Sequence, residues 1–111
     1  MTTLAIPALV DGEILSGTDN IPVNGVYTSD LLSDVMAHGR SAEVLITIQA
    51  HNNTIAVASI VGIRLIVLCN GRQPDEAMLA SARDEGIGIV RTQLSQFEVS
   101  GRLWKALHEQ Q

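Results

Sequence analysis

The side chains able to do chemistry are few in this chain: one cysteine, Cys69, three histidines, His38, His51 and His108, and one lysine, Lys105. A thiol nucleophile needs an exposed, electropositive setting and a base within reach. Cys69 instead closes the apolar run Leu65-Ile66-Val67-Leu68, which reads as a core thiol, with a thiol enzyme as the competing option. The histidines stand far apart, with no His-x-x-His pair and no clustered carboxylates around them, so no metal site is expected. A phosphate loop needs Lys followed by Ser or Thr after a glycine-rich turn. Lys105 is followed by Ala106, and Gly86-Ile87-Gly88 is too short for a dinucleotide fingerprint. The expectation is a chain without catalytic residues and without a cofactor.

A binding site is more plausible than a reactive one. In open parallel sheets, ligands settle beyond the carboxyl ends of the strands. Three polar stretches fall at such positions, residues 49–53, 70–73 and 92–95. Each precedes a helical segment, so free backbone N–H groups and a positive helix end would face the opening. The candidate ligand residues are His51, Asn52, Asn53, Thr54, Asn70, Gly71, Arg72 and Ser95. Arg72 suits a two-pronged grip on a phosphate or carboxylate. The same residues also have a plainer reading as turn and cap residues around a solvated arginine.

The elements that would position them alternate. Around Asp11-Gly12, a pair that tolerates the positive φ angles of a tight turn, residues 9–10 and 13–15 are expected to form a β-hairpin. Another strand is expected over residues 23–27. Thr28 or Ser29 can cap a helix with Asp30 in its first turn and Leu31, Leu32, Val35 and Met36 as its buried stripe. Residues 44–48 and 65–69 are apolar without alternation, as strands buried on both faces are. Between them, residues 54–61 read as a buried helix. Pro74 suits a first helical position, with Ala77, Leu79, Ala80 and Ala82 available to pack. A short strand follows over 87–90. Ser95-Gln96-Phe97-Glu98 has the form of a capping box, opening a final helix with Phe97, Val99, Leu103, Trp104 and Leu107 as its apolar residues. Strands buried on both faces and joined by helices imply an α/β fold, a mainly parallel sheet flanked by helices.

Composition bounds the rest. A length of 111 residues suits one domain, and hydrophobic residues make up 46% against 3% aromatic, so the core must be aliphatic. Seven Lys+Arg against 12 Asp+Glu leave a net charge of −5, which disfavours nucleic acid and anionic membrane surfaces as partners. No basic leader precedes an apolar stretch, and Arg64 interrupts the longest apolar run, so a cytoplasmic location with a reduced Cys69 is expected. Edge strands and exposed apolar patches invite association. Tyr27, Leu31 and Val35 are candidates for a homodimer contact, with ordinary core as the other reading of Leu31 and Val35.

Several segments resemble the DRTGG domain family when taken together. They are Val26-Tyr27-Thr28-Ser29-Asp30-Leu31-Leu32-Ser33-Asp34-Val35-Met36-Ala37-His38, Gln49-Ala50-His51-Asn52-Asn53-Thr54-Ile55-Ala56-Val57-Ala58, Leu68-Cys69-Asn70-Gly71-Arg72-Gln73-Pro74-Asp75-Glu76, and Leu94-Ser95-Gln96-Phe97-Glu98. The likeness covers nearly the whole chain as a single domain. It is nearest to small stand-alone members associated with iron-only hydrogenase and NADH-dehydrogenase-like complexes. The resemblance implies a fold similar to the N-terminal domain of HPr kinase/phosphorylase, which lacks the kinase site. Similar domains occur in phosphotransacetylases and beside nucleotide-binding CBS pairs in pyrophosphatases. It also implies a regulatory or scaffolding role, a homodimer and a redox-enzyme partner. The alternative is a sensor for a nucleotide or another anion. The family's Asp-Arg pair falls at Ala50-His51 and its Thr-Gly-Gly at Cys69-Asn70-Gly71, so only Gly71 keeps the signature residue.

Overall fold

A computed structural model describes residues 1–109. Five strands, β1 (Glu13–Ser16), β2 (Val26–Thr28), β3 (Val44–Thr47), β4 (Leu65–Leu68) and β5 (Gly88–Arg91), form one sheet in the order β1-β5-β4-β3-β2. β2 to β5 are parallel, and β1 runs antiparallel to β5 with a register shift between Ile14 and Ser16. The helices are α1 (Ile6–Leu9), α2 (Leu32–His38), α3 (Asn52–Val61), α4 (Glu76–Glu85) and α5 (Gln96–His108). The α/β class and the mainly parallel sheet are as the sequence implies. None of the described helices is long and apolar enough to cross a membrane.

The inner strands of the sheet are buried on both sides, with their residues alternating between two cores. Leu45, Ile66, Leu68 and Ile89 pack with Val35, Ile55, Ala58, Met78 and Ala82 from α2, α3 and α4. Val44, Ile46, Leu65, Val67 and Val90 pack with Ile6, Val10, Val99 and Leu103 on the opposite face. The order from β2 to β5 runs in one direction only. Right-handed crossovers therefore place α2, α3 and α4 on one face, and α5 returns over the other to lie against β2 and β3.

At the N-terminus the antiparallel pairing exists, but its second arm is β5. Of the expected first arm, residues 9–10, Leu9 ends α1 and Val10 is its C-cap, so no strand forms there. Asp11 does take a positive φ of 50°, and Gly12 N–H donates to the Pro7 carbonyl at 2.9 Å, so the Asp-Gly pair closes a helix end. Pro7 helps here, because its fixed φ suits a first helical turn.

Other boundaries shift for similar local reasons. α2 begins at Leu32, behind a turn in which Leu31 N–H donates to Ser29 Oγ at 3.2 Å. Asp30 thus lies outside the helix, and Asp34 occupies its first turn. Within the expected apolar stripe Val35 is fully buried, whereas Leu31 is 64% exposed. α3 starts two residues early, at Asn52. α4 starts after Asp75, whose carboxylate accepts Met78 N–H at 2.7 Å, so Pro74 precedes the helix. Met78 and Ala82 are its buried residues, while Ala77 and Ala80 face solvent.

Candidate ligand-binding site

Beyond the carboxyl ends of β3 and β4 lies a depression of about 330 Å³, lined by Ile48, Gln49, Ala50, His51, Arg72, Gln73 and Asp75. That volume is near the lower bound for small-molecule pockets. The β3 side is the segment leading into α3, whose N-terminus has no side-chain cap. His51 is its N-cap residue, and its carbonyl already accepts Thr54 N–H at 3.0 Å. The N–H groups of Asn52 and Asn53, at the very start of the helix, have no partner inside it and lie at the positive end of its dipole.

The β4 side is a tight turn. Asn70 and Gly71 both take left-handed φ values, 58° and 65°. Asn70 N–H donates to Leu94 O at 2.9 Å and Gly71 N–H to Thr92 O at 2.8 Å. A side chain at Gly71 would be strained by its φ and would meet Gln93. This turn delivers Arg72 to the rim, exposed and outside every ion pair among the described residues. Asp75 is the carboxylate in the lining, and it is held as the cap of α4. The two walls meet where Asp75 N–H donates to Ala50 O at 3.4 Å. The depression therefore presents a guanidinium, an imidazole and an uncapped helix start.

The structure brings only some of the expected residues together. His51 and Arg72 line the depression. Asn52 and Asn53 are exposed at the start of α3, and Asn70 and Gly71 hold the turn. Thr54 is fully buried, and its hydroxyl donates to Gln49 O at 2.9 Å, fixing the loop from beneath. Ser95 caps α5, accepting Glu98 N–H at 3.2 Å. The third stretch, 92–95, turns elsewhere: Thr92 is buried with its hydroxyl on Val10 O at 2.7 Å, and Gln93 lines a shallow hollow with Asp11 and Glu13. Two loops, not three, build the opening.

Asp30 is the residue that spacing did not single out for a site. Its Oδ1 accepts from Thr47 Oγ1 at 3.0 Å, Ile48 N–H at 2.9 Å and Gln96 Nε2 at 2.9 Å, while its carbonyl accepts from Gln49 Nε2 at 2.8 Å. It joins the end of β3, the start of α5 and the loop carrying Gln49. Cys69 is fully buried. Burial, and secondarily the Asp30 carboxylate, push its thiol up to about 12. That setting is the opposite of the exposed, electropositive one that a thiol nucleophile needs.

The three residues of the expected dimer contact separate. Val35 is core and cannot reach a partner. Tyr27, half-buried, donates from its hydroxyl to Asp34 Oδ2 at 2.8 Å, and Asp34 Oδ1 meets His38 Nδ1 at 3.0 Å. Hydrogen bonds from Tyr27 and then Ser29 hold the Asp34 carboxyl below its usual range. The same bond to Asp34 pushes the Tyr27 hydroxyl above its ordinary value, so it serves as a donor.

No family model and no curated protein matches this chain. Among solved structures, it is similar to the CBS- and DRTGG-domain regulatory region of a Clostridium perfringens pyrophosphatase, complexed with its activator diadenosine tetraphosphate. The TM-score is 0.75 at 13% identity, over 92% of this chain and 45% of that one. The chain thus spans under half of that regulatory region, and its fold is DRTGG-like.

Proposed function

We propose that this chain is a non-catalytic regulatory module of the cytoplasm, which binds an anionic small molecule of the nucleotide class and acts by docking to protein. The observation that carries this reading is the depression beyond β3 and β4, where Arg72, His51 and the uncapped start of α3 converge. A phosphate there would meet a guanidinium and free backbone N–H groups, with the lining carboxylate already engaged. The similar pyrophosphatase region is regulatory and was solved with a nucleotide activator, which supports that ligand class. The proposed partner enzyme, of redox or energy metabolism, is supported by the likeness of the quoted segments to hydrogenase- and NADH-dehydrogenase-associated chains. Co-purification tests it.

Thermal unfolding with adenine and guanine nucleotides, phosphate and pyrophosphate tests the ligand. A binder at a hundredfold over its dissociation constant stabilises the fold by about 2.7 kcal/mol. Arg72→Ala is expected to weaken that binder roughly tenfold or more, as losing a charged hydrogen bond does. No stabilisation by any member of the panel would end the sensor reading.

A further inference from the structure

The interior of this protein is aliphatic, yet Phe97 is 87% exposed and Trp104 is 67% exposed. They are the sole Phe and the sole Trp of the chain. Both lie on α5, whose buried side is Val99 and Leu103. At 100° per residue, Phe97, Gly101, Trp104 and His108 fall on one stripe about 150° round the helix from it. His108 stacks on Trp104 with ring centroids 3.9 Å apart, and its Nδ1 bonds the Trp104 carbonyl oxygen at 2.8 Å, so the indole is held on the surface. Beside it runs a groove of about 160 Å³ lined by Val26, Ile46, Trp104 and Leu107, next to the outer edge of β2, which ends the sheet. Gly101 sits in the middle of the stripe with open space where its side chain would be. Glycine at an exposed helix interior weakens a helix relative to alanine. What it offers is close approach by another backbone.

We propose that this stripe is the contact between two copies of the chain, their α5 helices crossing antiparallel at Gly101 about a two-fold axis. The pattern is self-complementary in that arrangement and not in a parallel one. An isologous contact pairs residue i with j and j with i. A crossing near Gly101 sets Phe97 against the partner's Trp104, and Trp104 against the partner's Phe97. One flank of the stripe carries Glu98 near the helix start and Lys105 near its end. The same two-fold sets each Glu98 opposite the partner's Lys105, so two opposite-charge pairs flank the aromatic centre. The helix dipoles also oppose favourably. The inference rests on reading the chain as a module that works by docking, and it is independent of what fills the β3–β4 depression. It also moves the expected dimer contact away from Tyr27, Leu31 and Val35.

Sedimentation of the full chain from low to high micromolar concentration tests it. The expected result is a reversible dimer. Phe97→Glu and Trp104→Glu should each weaken it on the order of a hundredfold, because each change enters the contact twice. Gly101→Leu should raise the melting temperature of the dilute monomer while abolishing the dimer, which separates docking from folding. Glu98→Lys and Lys105→Glu should each weaken association, and the double exchange should recover it. A monomer at every concentration, a dimer indifferent to both aromatic substitutions, or no recovery in the double exchange would overturn the proposal. Arg72→Ala should leave the dimer unchanged, so nucleotide binding that survives this change, with an intact dimer, counts against the ligand reading alone.

Discussion

Asp30→Ala is expected to destabilise the fold by about 3 kcal/mol and to lower its melting temperature by roughly 15 °C. One carboxylate oxygen of Asp30 accepts from a threonine hydroxyl, a backbone N–H and a glutamine amide on separate segments. Truncation removes all three bonds at once. It also strands Thr47, which is fully buried, so water cannot replace the lost acceptor at that hydroxyl. Hydrogen bonds to a charged group contribute about 1.5–3 kcal/mol each, but bonds sharing one acceptor oxygen do not add in full. Asp30→Asn keeps an acceptor without the charge and should lie about midway. Urea unfolding of the three proteins measures this, and an Asp30→Ala midpoint matching the parent would show that the network contributes nothing.

Alkaline pH provides the second large effect. The Cys69 thiol titrates near 12 in the folded chain, against an ordinary value of 9.0. As pH rises through 9, the unfolded chain releases this proton while the folded chain retains it. The unfolded state then binds fewer protons, so stability falls as pH rises. The contribution is whole below pH 9 and declines by about 1.4 kcal/mol per unit up to about pH 12. At pH 10.5 the loss is about 2 kcal/mol. Tyr27, also raised, adds to the fall with the same sign above pH 10, so the control is Cys69→Ala rather than a fixed baseline. Its unfolding free energy should run flatter than the parent's between pH 9 and 10.5. Parallel profiles would mean that the thiol meets no such barrier to ionisation.

The sequence exposes what depends on neighbours along the chain and conceals what depends on neighbours across the sheet. The strands at 44–47 and 65–68 were legible because burial on both faces removes alternation, and Ser95 was legible as a cap because its partner is three residues on. Asp30 was not. Its spacing from Leu31 and Leu32 suggested a helix start, while its actual partners lie 17, 18 and 66 positions away. The expected arm at residues 9–10 ends α1 instead, because Asp-Gly serves a helix end as readily as a hairpin. In the site, Arg72 and His51 were readable from loop position, whereas the turning away of Thr92 depended on Val10, 82 residues distant. α5 carries two apolar faces, Val99 with Leu103 and Phe97 with Trp104, and residue type alone would have buried the larger pair. The aliphatic face of the sheet packs against the smaller one.

β1 belongs to the sheet in a different sense from its neighbours. β2 to β5 arise from successive strand–helix–strand units, each closing a short span, while Glu13 reaches across the whole chain to pair with Arg91. The entropy of closing so long a loop must be met before that pairing gives anything back. Assembly therefore has a natural order, with the four-strand body condensing first and β1 laid on as a late seam.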